Sequence, residues 1–194
     1  MTDKQLNIKT EEVQLDNKHS YYNHRYEPTA YEILDLLFDE YTLSPNDTLV
    51  DYGCGKGRLN FYVNWRFHCN VVGVELNKEY YQDAINNLAS YTATFKHKIR
   101  FEYMPAQDYM VKDTDSFFYF FNPFSIEIFS KVIRNILYSI EQSPRFCTVI
   151  LFYPDFDYIY FLENYTFFER VDEIKIPNSK DERNCFYIYR NKVS

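Results

Sequence analysis

Residues 48–58 read Thr48-Leu49-Val50-Asp51-Tyr52-Gly53-Cys54-Gly55-Lys56-Gly57-Arg58. A short apolar run enters a turn that carries three of the four glycines in the whole chain. A helical pattern follows over Arg58 to Phe67, with Leu59, Tyr62, Val63 and Phe67 spaced for one face. A chain this poor in glycine concentrates it where the backbone needs positive φ or where a ligand must approach the main chain closely. Strand, glycine turn and helix, in that order, make the ligand crevice of an open α/β sheet.

Outward from this segment the elements alternate. On the amino-terminal side, Ala30 to Phe38 places Ile33, Leu34, Leu37 and Phe38 at helical spacing. Thr29 and Glu32, just after Pro28, read as a T-x-x-E capping box for that helix. On the other side, Asn70 to Leu76 reads as a second strand and Lys78 to Ala93 as a helix. Ile99 to Tyr103 is a third strand. Ser116 to Phe121 is a fourth, apolar on both faces like a central parallel strand. Ile126 to Ile140 is a helix and Phe146 to Tyr153 a fifth strand. Phe167 to Ile176 and Cys185 to Arg190 follow with a charged loop and no helix between them, which predicts an antiparallel hairpin. The expected fold is α/β: a doubly wound, mostly parallel seven-stranded sheet with a C-terminal antiparallel hairpin and helices on both faces. At 194 residues the chain makes one domain.

Composition narrows the function. Lys plus Arg is 21 and Asp plus Glu is 28, a formal charge of −7. Such a balance does not favour nucleic acid as a partner, because affinity there rests on neutralising phosphates. Lys56, Arg58, Lys96, Lys98 and Arg100 are nevertheless placed to form a local basic edge near the crevice. No run of about 18 apolar residues is present to span a membrane. Met1 to Asn17 is polar and has no apolar stretch of the secretory kind. Cys54, Cys69, Cys147 and Cys185 are scattered without metal-ligand spacing and read as buried thiols of a cytoplasmic protein. The aromatic run Phe117 to Phe121 reads as a buried strand. Phe152, Tyr153, Phe156, Tyr158, Tyr160 and Phe161, after strand five, read either as pocket lining or as core.

Two acids frame the glycine turn. Asp51 precedes Gly53 by two residues, and Glu75 ends the second strand 22 residues after Gly53, with Gly73 two residues before it. An acid at about that separation accepts hydrogen bonds from both hydroxyls of a ribose, so the spacing points to a nucleoside-bearing ligand without naming it. Nicotinamide and flavin enzymes usually show G-x-G-x-x-G, whereas this turn is G-x-G-x-G behind an acid.

D-x-G-x-G-x-G followed by V-x-G-V-E resembles the class I, Rossmann-like S-adenosylmethionine-dependent methyltransferases. The resemblance implies that Asp51 faces the ammonium of S-adenosyl-L-methionine. It implies that Gly53, Cys54, Gly55 and Gly57 lie along the methionine part, and that Glu75, with Leu76 beside it, takes the ribose. Gln107 and Asp108, in Pro105 to Tyr109, would reach the adenine, Asp108 contacting its amine. Residues 1–46 would form a helical lid segment over a 47–194 core, with Tyr22, Arg25 and Thr29 reaching the cofactor carboxylate and His24 a candidate base. The family's fourth strand ends at the active site, which places Asn122-Pro123-Phe124 there. Amino-group methyltransferases share an Asn/Asp-Pro-Pro-aromatic motif that this stretch matches in part, with one proline and a Phe, and Asn122 and Pro123 are then the catalytic candidates. The other reading is an Asn at a strand end and a Pro that opens a helix. The implied function is methyl transfer to a nitrogen or oxygen acceptor. The alternative is a non-catalytic S-adenosylmethionine-binding module or partner subunit.

Overall fold

The computed structural model describes residues 1–11 and 27–192. A seven-stranded sheet runs through the centre in the order β3-β2-β1-β4-β5-β7-β6. Its strands are β1 Thr48–Tyr52, β2 Asn70–Glu75, β3 Ile99–Tyr103, β4 Phe117–Phe120, β5 Thr148–Phe152, β6 Phe168–Lys175 and β7 Cys185–Asn191. The helices are α1 Asp3–Leu6, α2 Tyr31–Glu40, α3 Arg58–Phe67, α4 Lys78–Ser90, α5 Ile126–Gln142 and α6 Phe156–Tyr165. β1 pairs in parallel with both β2 and β4. The winding therefore reverses between β1 and β4, and the crevice of a doubly wound sheet opens at the carboxyl ends of these two strands.

Both faces of the sheet are covered, which is why its strands read as nearly continuous apolar runs. On one face Leu49, Val71, Tyr119 and Ile150 pack with Leu34, Leu37 and Phe38 of α2, Tyr62 and Val63 of α3, and Ala84 of α4. On the other, Val50, Val72, Phe118, Phe120 and Val149 pack with Phe129, Val132, Ile133 and Ile136 of α5 and Leu162 of α6. The aromatic run in β4 thus divides by parity, with Phe118 and Phe120 beneath α5 and Tyr119 beneath α2 and α3. Burying one such ring is worth roughly 1.5–3 kcal/mol.

Several expectations change in the structure. The last two strands do pair antiparallel, but β7 inserts between β5 and β6. β6 is then the sheet edge. It exposes Glu169, Arg170, Asp172, Glu173 and Lys175, and a register shift falls between Arg170 and Asp172; charge and irregularity both discourage edge-to-edge pairing. A helix, α6, stands where the sequence shows only a cluster of aromatic residues. The T-x-x-E box is not used: Ala30 occupies the N-cap of α2 without a side-chain bond. Thr29 instead pairs its Oγ1 with the Tyr119 hydroxyl at 3.0 Å. The polar amino-terminal stretch is docked through its first residues, with Leu6 and Ile8 in the core. All four cysteines are free and buried. No helix among the described residues is long and apolar enough to cross a membrane.

Candidate functional site

β1 delivers Asp51 to the crevice and then turns through Gly53, Gly55 and Gly57, at φ of 76°, 54° and 87°. The turn is held by its neighbour strand. The amides of Gly53 and Cys54 both donate to the Val74 carbonyl, at 2.9 and 3.2 Å. The Gly55 amide donates to Glu75 Oε2 at 2.8 Å, while Glu75 Oε1 accepts from the Asn77 amide at 2.7 Å. Glu75 is thus anchored at the tip of β2 against the apex of the glycine turn. Burial lifts its carboxyl above the usual range, and the Asn77, Gly55 and Leu76 amides pull it partly back.

Asp51 lies beside Gly73 in the β1–β2 register and is only 5% exposed. Burial and then the charge of Glu75 push its carboxyl well above the ordinary value, and no cation among the described residues offsets them. A buried acidic pair without a cation among its neighbours, next to a positive-φ turn, suits a ligand that brings positive charge and hydroxyl donors.

The glycines divide by purpose. A Cβ at Gly57 would fall 2.7 Å from the Phe101 ring, and one at Gly73 would fall 2.5 Å from that ring and 2.6 Å from Cys54 Sγ. These two positions make room for Phe101. The same contact turns the Cys54 thiol toward β2, where burial raises its pKa. At Gly53 an added Cβ would meet Pro123 Cβ at 2.6 Å, so the turn after β1 touches the loop after β4 directly.

That loop is the opposite lip of the crevice. Asn122 adopts φ 40°, and its Oδ1 is buried without a hydrogen-bond partner among the described residues. α5 begins three residues beyond Pro123, at Ile126, with Ser125 as its N-cap. Pro123 does not open the helix and the Asn122 Oδ1 caps nothing. The Phe124 ring is buried, edge-on to Phe120 at 6.2 Å.

The other candidate residues are placed as follows. Thr29 stands over the crevice floor, because Tyr119 is the register neighbour of Asp51 in β4. Leu76 lies half exposed at the rim. Gln107 and Asp108 sit in the short 3-10 turn Ala106–Asp108, Asp108 exposed and the Gln107 carbonyl bonded by Asn135 Nδ2 at 2.7 Å. Tyr22, His24 and Arg25 lie outside the described residues.

Of the expected basic edge, Lys96 is exposed, while the other four side chains are engaged elsewhere. Lys56 is buried against Asp83 at 3.1 Å. Arg58 is buried against Asp3 at 3.6 Å and lies over the Tyr31 ring. Lys98 caps the carbonyls of Pro45 and His68, and Arg100 pairs with Glu102. Lys56, Arg58 and Lys98, lone cations in the sequence, thus prove to be long-range partners. The Asp3 carboxylate also gathers the Thr10 hydroxyl at 2.8 Å and the Tyr31 hydroxyl at 2.6 Å, and Arg58 Nε donates to Thr10 Oγ1 at 2.7 Å. This knot ties the first ten residues to the start of α3, beside the glycine turn. Nothing in the local sequence marks it, since its members are separated by up to 55 positions, Asp3 to Arg58.

A family model described as a methyltransferase domain matches residues 28–152, which span β1 to β5 and both lips of the crevice. The chain belongs to the class I S-adenosylmethionine-dependent methyltransferases. No curated protein matches it in sequence. Among solved structures, an RNA methyltransferase from Salinibacter ruber, in complex with S-adenosyl-L-homocysteine, is similar at 17% identity and a TM-score of 0.61, over 86% of this chain and 94% of that one. A TehB-like SAM-dependent methyltransferase from Corynebacterium glutamicum is similar at 12% identity and a TM-score of 0.59, over 84% and 88%. A geranyl diphosphate methyltransferase, in complex with its diphosphate and sinefungin, is similar at 13% identity and 0.56, over 82% and 76%. At these identities the likeness is one of fold, shared by proteins whose acceptors differ widely. The methyltransferase residues present here suit the cofactor: the unneutralised Asp51 suits its ammonium, and Glu75, fixed by two main-chain amides, keeps lone pairs for ribose hydroxyls.

Proposed function

We propose that this methyltransferase holds S-adenosylmethionine between Asp51, the turn at Gly53 to Gly57, and Glu75, and transfers its methyl group to a nitrogen or oxygen acceptor presented at Asn122-Pro123. The bound cofactor supplies an electrophilic methyl on its sulfonium. The protein's share is binding, alignment and exclusion of water. Asp51, ionised, pairs with the ammonium, and the acidic edge of Glu75 takes the ribose. Asn122 Oδ1 accepts a hydrogen from the acceptor's N–H or O–H and so turns its lone pair toward the crevice. Alignment of this kind supplies roughly 7–11 kcal/mol of a barrier, so no strong base is required.

The observation that carries the reading is the buried Asn122 Oδ1, which has no partner among the described residues. A buried acceptor left unmade costs about 1–3 kcal/mol, a loss that an incoming donor would recover. The burial of the Phe124 ring argues against an acceptor base stacking on it. Transfer of labelled methyl from S-adenosylmethionine into a cell extract tests the proposal. The parent protein should label a small molecule, an RNA or a protein; absence of label under conditions where S-adenosylhomocysteine binds would leave only a binding module.

A further inference from the structure

The hydroxyl of Tyr158 makes both main-chain bonds of Phe124. It donates to the Phe124 carbonyl and accepts from the Phe124 amide at 3.3 Å. Tyr158 belongs to α6, 34 residues away, and is 1% exposed. Its ring lies flat on Phe129 of α5, with centroids 3.7 Å apart and planes at 9°. The phenol therefore has no room to swing, and one hydroxyl closes a ring of bonds around a single residue of the active-site loop.

Two residues earlier stands Asn122, at positive φ. An Asn tolerates that region better than most residues, but a lone non-glycine conformer of this kind persists only where its surroundings over-determine it. Here the surroundings are a pair of jaws. Pro123 abuts Gly53 on the cofactor side, and Phe124 is clamped by Tyr158 on the α6 side. The Asn122 Oδ1 has no bond among the described residues to hold it.

The geometry points to Tyr158 as a positioning residue for methyl transfer: its hydroxyl locks Phe124 and thereby fixes Asn122 with Oδ1 aimed for the acceptor. The inference rests on the proposed role of Asn122. Tyr158 is buried beneath the loop and acts only through it. Removing the hydroxyl leaves the glycine turn and Glu75 intact, so cofactor affinity and turnover should separate.

The test is Tyr158→Phe in the full chain, with three readouts. Calorimetry with S-adenosylhomocysteine should give a Kd within about twofold of the parent. The rate of labelled-methyl transfer should fall by about tenfold to a hundredfold, the scale on which small misplacements of reacting groups act. In labelled protein the Asn122 Cα and Cβ chemical shifts should lose their left-handed pattern. Phe129→Leu, which keeps the hydroxyl but removes the ring beneath it, should lower the rate by a smaller factor and serves if Tyr158→Phe does not fold. Unchanged Asn122 shifts, or equal losses in affinity and rate, overturn the inference. A parent that binds S-adenosylhomocysteine but transfers no label defeats the role of Asn122 instead, and the chemical shifts then decide alone whether Tyr158 positions the loop.

Discussion

The turn after β1 reaches positive φ three times, always at glycine; the turn after β4 reaches it once, at Asn122. The two face each other and touch at Gly53 and Pro123. The first is stabilised by main-chain amides spent on Val74 and Glu75, so its shape is independent of most side chains around it. The second depends on side chains: a proline ring, a buried Phe and a tyrosine hydroxyl. A bare backbone suits a cofactor that every turnover must seat in the same way. A side-chain-braced loop suits the acceptor end proposed for it, where one oriented amide oxygen would be offered. Where glycine carries the turn, conformational strain is absent; where asparagine carries it, strain is retained together with a functional group.

The contrast can be broken experimentally. The largest effect is expected at the contact itself. Gly53→Ala combines a left-handed alanine with a 2.6 Å approach to Pro123 and should cost roughly 2–5 kcal/mol of stability, read as a fall in melting temperature. It should lower cofactor affinity and turnover together; a variant that loses only one would show the two lips to be uncoupled. Asn122→Ala comes next. Methyl transfer should drop by about tenfold to a hundredfold while S-adenosylhomocysteine affinity stays near the parent value. Equal turnover would remove Asn122 from the chemistry. Glu75→Ala should act the other way round. It leaves the Gly55 and Asn77 amides without their acceptor, and calorimetry should show binding weakened by about tenfold or more, each tenfold being about 1.4 kcal/mol.

The smallest effect concerns Asp51, whose folded carboxyl sits well above the ordinary range of about 3.9. A raised carboxyl favours the protonated form in the folded state. Its contribution to stability is present below the unfolded pKa and is lost as pH rises through the folded value. Asp51→Asn should therefore raise the melting temperature of the ligand-free domain at neutral pH by a few degrees, at about 2–4 °C per kcal/mol, and the gain should shrink toward acid pH. Cofactor affinity of the parent should climb over the same rise in pH, because the ammonium pairs only with the ionised acid. A flat melting-temperature difference across pH would place the charge of Asp51 elsewhere.

Much of the scaffold was legible because its physics is local. α3 and β1 fall at Arg58–Phe67 and Thr48–Tyr52, where apolar spacing and the glycine turn put them. α6 was not legible. Its sequence, Phe156-Asp157-Tyr158-Ile159-Tyr160-Phe161, is apolar nearly all round, and only Tyr158 and Leu162 are fully buried, so no single stripe marks its inner face. The site divides in the same way. The acids and glycines announced themselves by spacing. The role of Arg58 did not, because an ion pair with Asp3 has no signature in either neighbourhood. Thr29 reads as the cap of α2, but its hydroxyl bonds a tyrosine of β4 that is 90 residues away, a partner with no mark in the local sequence.

The seat of β7 has a consequence for how the domain comes into being. Thr148 to Leu151 pair with β4 on one side and β7 on the other, and β7 comprises residues 185–191. During synthesis on the ribosome the flank of β5 stays unpartnered until those residues emerge, even though β6, made earlier, is already available. β6 runs parallel to β5, so the antiparallel seat beside β5 is filled by β7. The arrival of β7 thus seals a greasy seam along β5 that the growing polypeptide carries open past the making of β6.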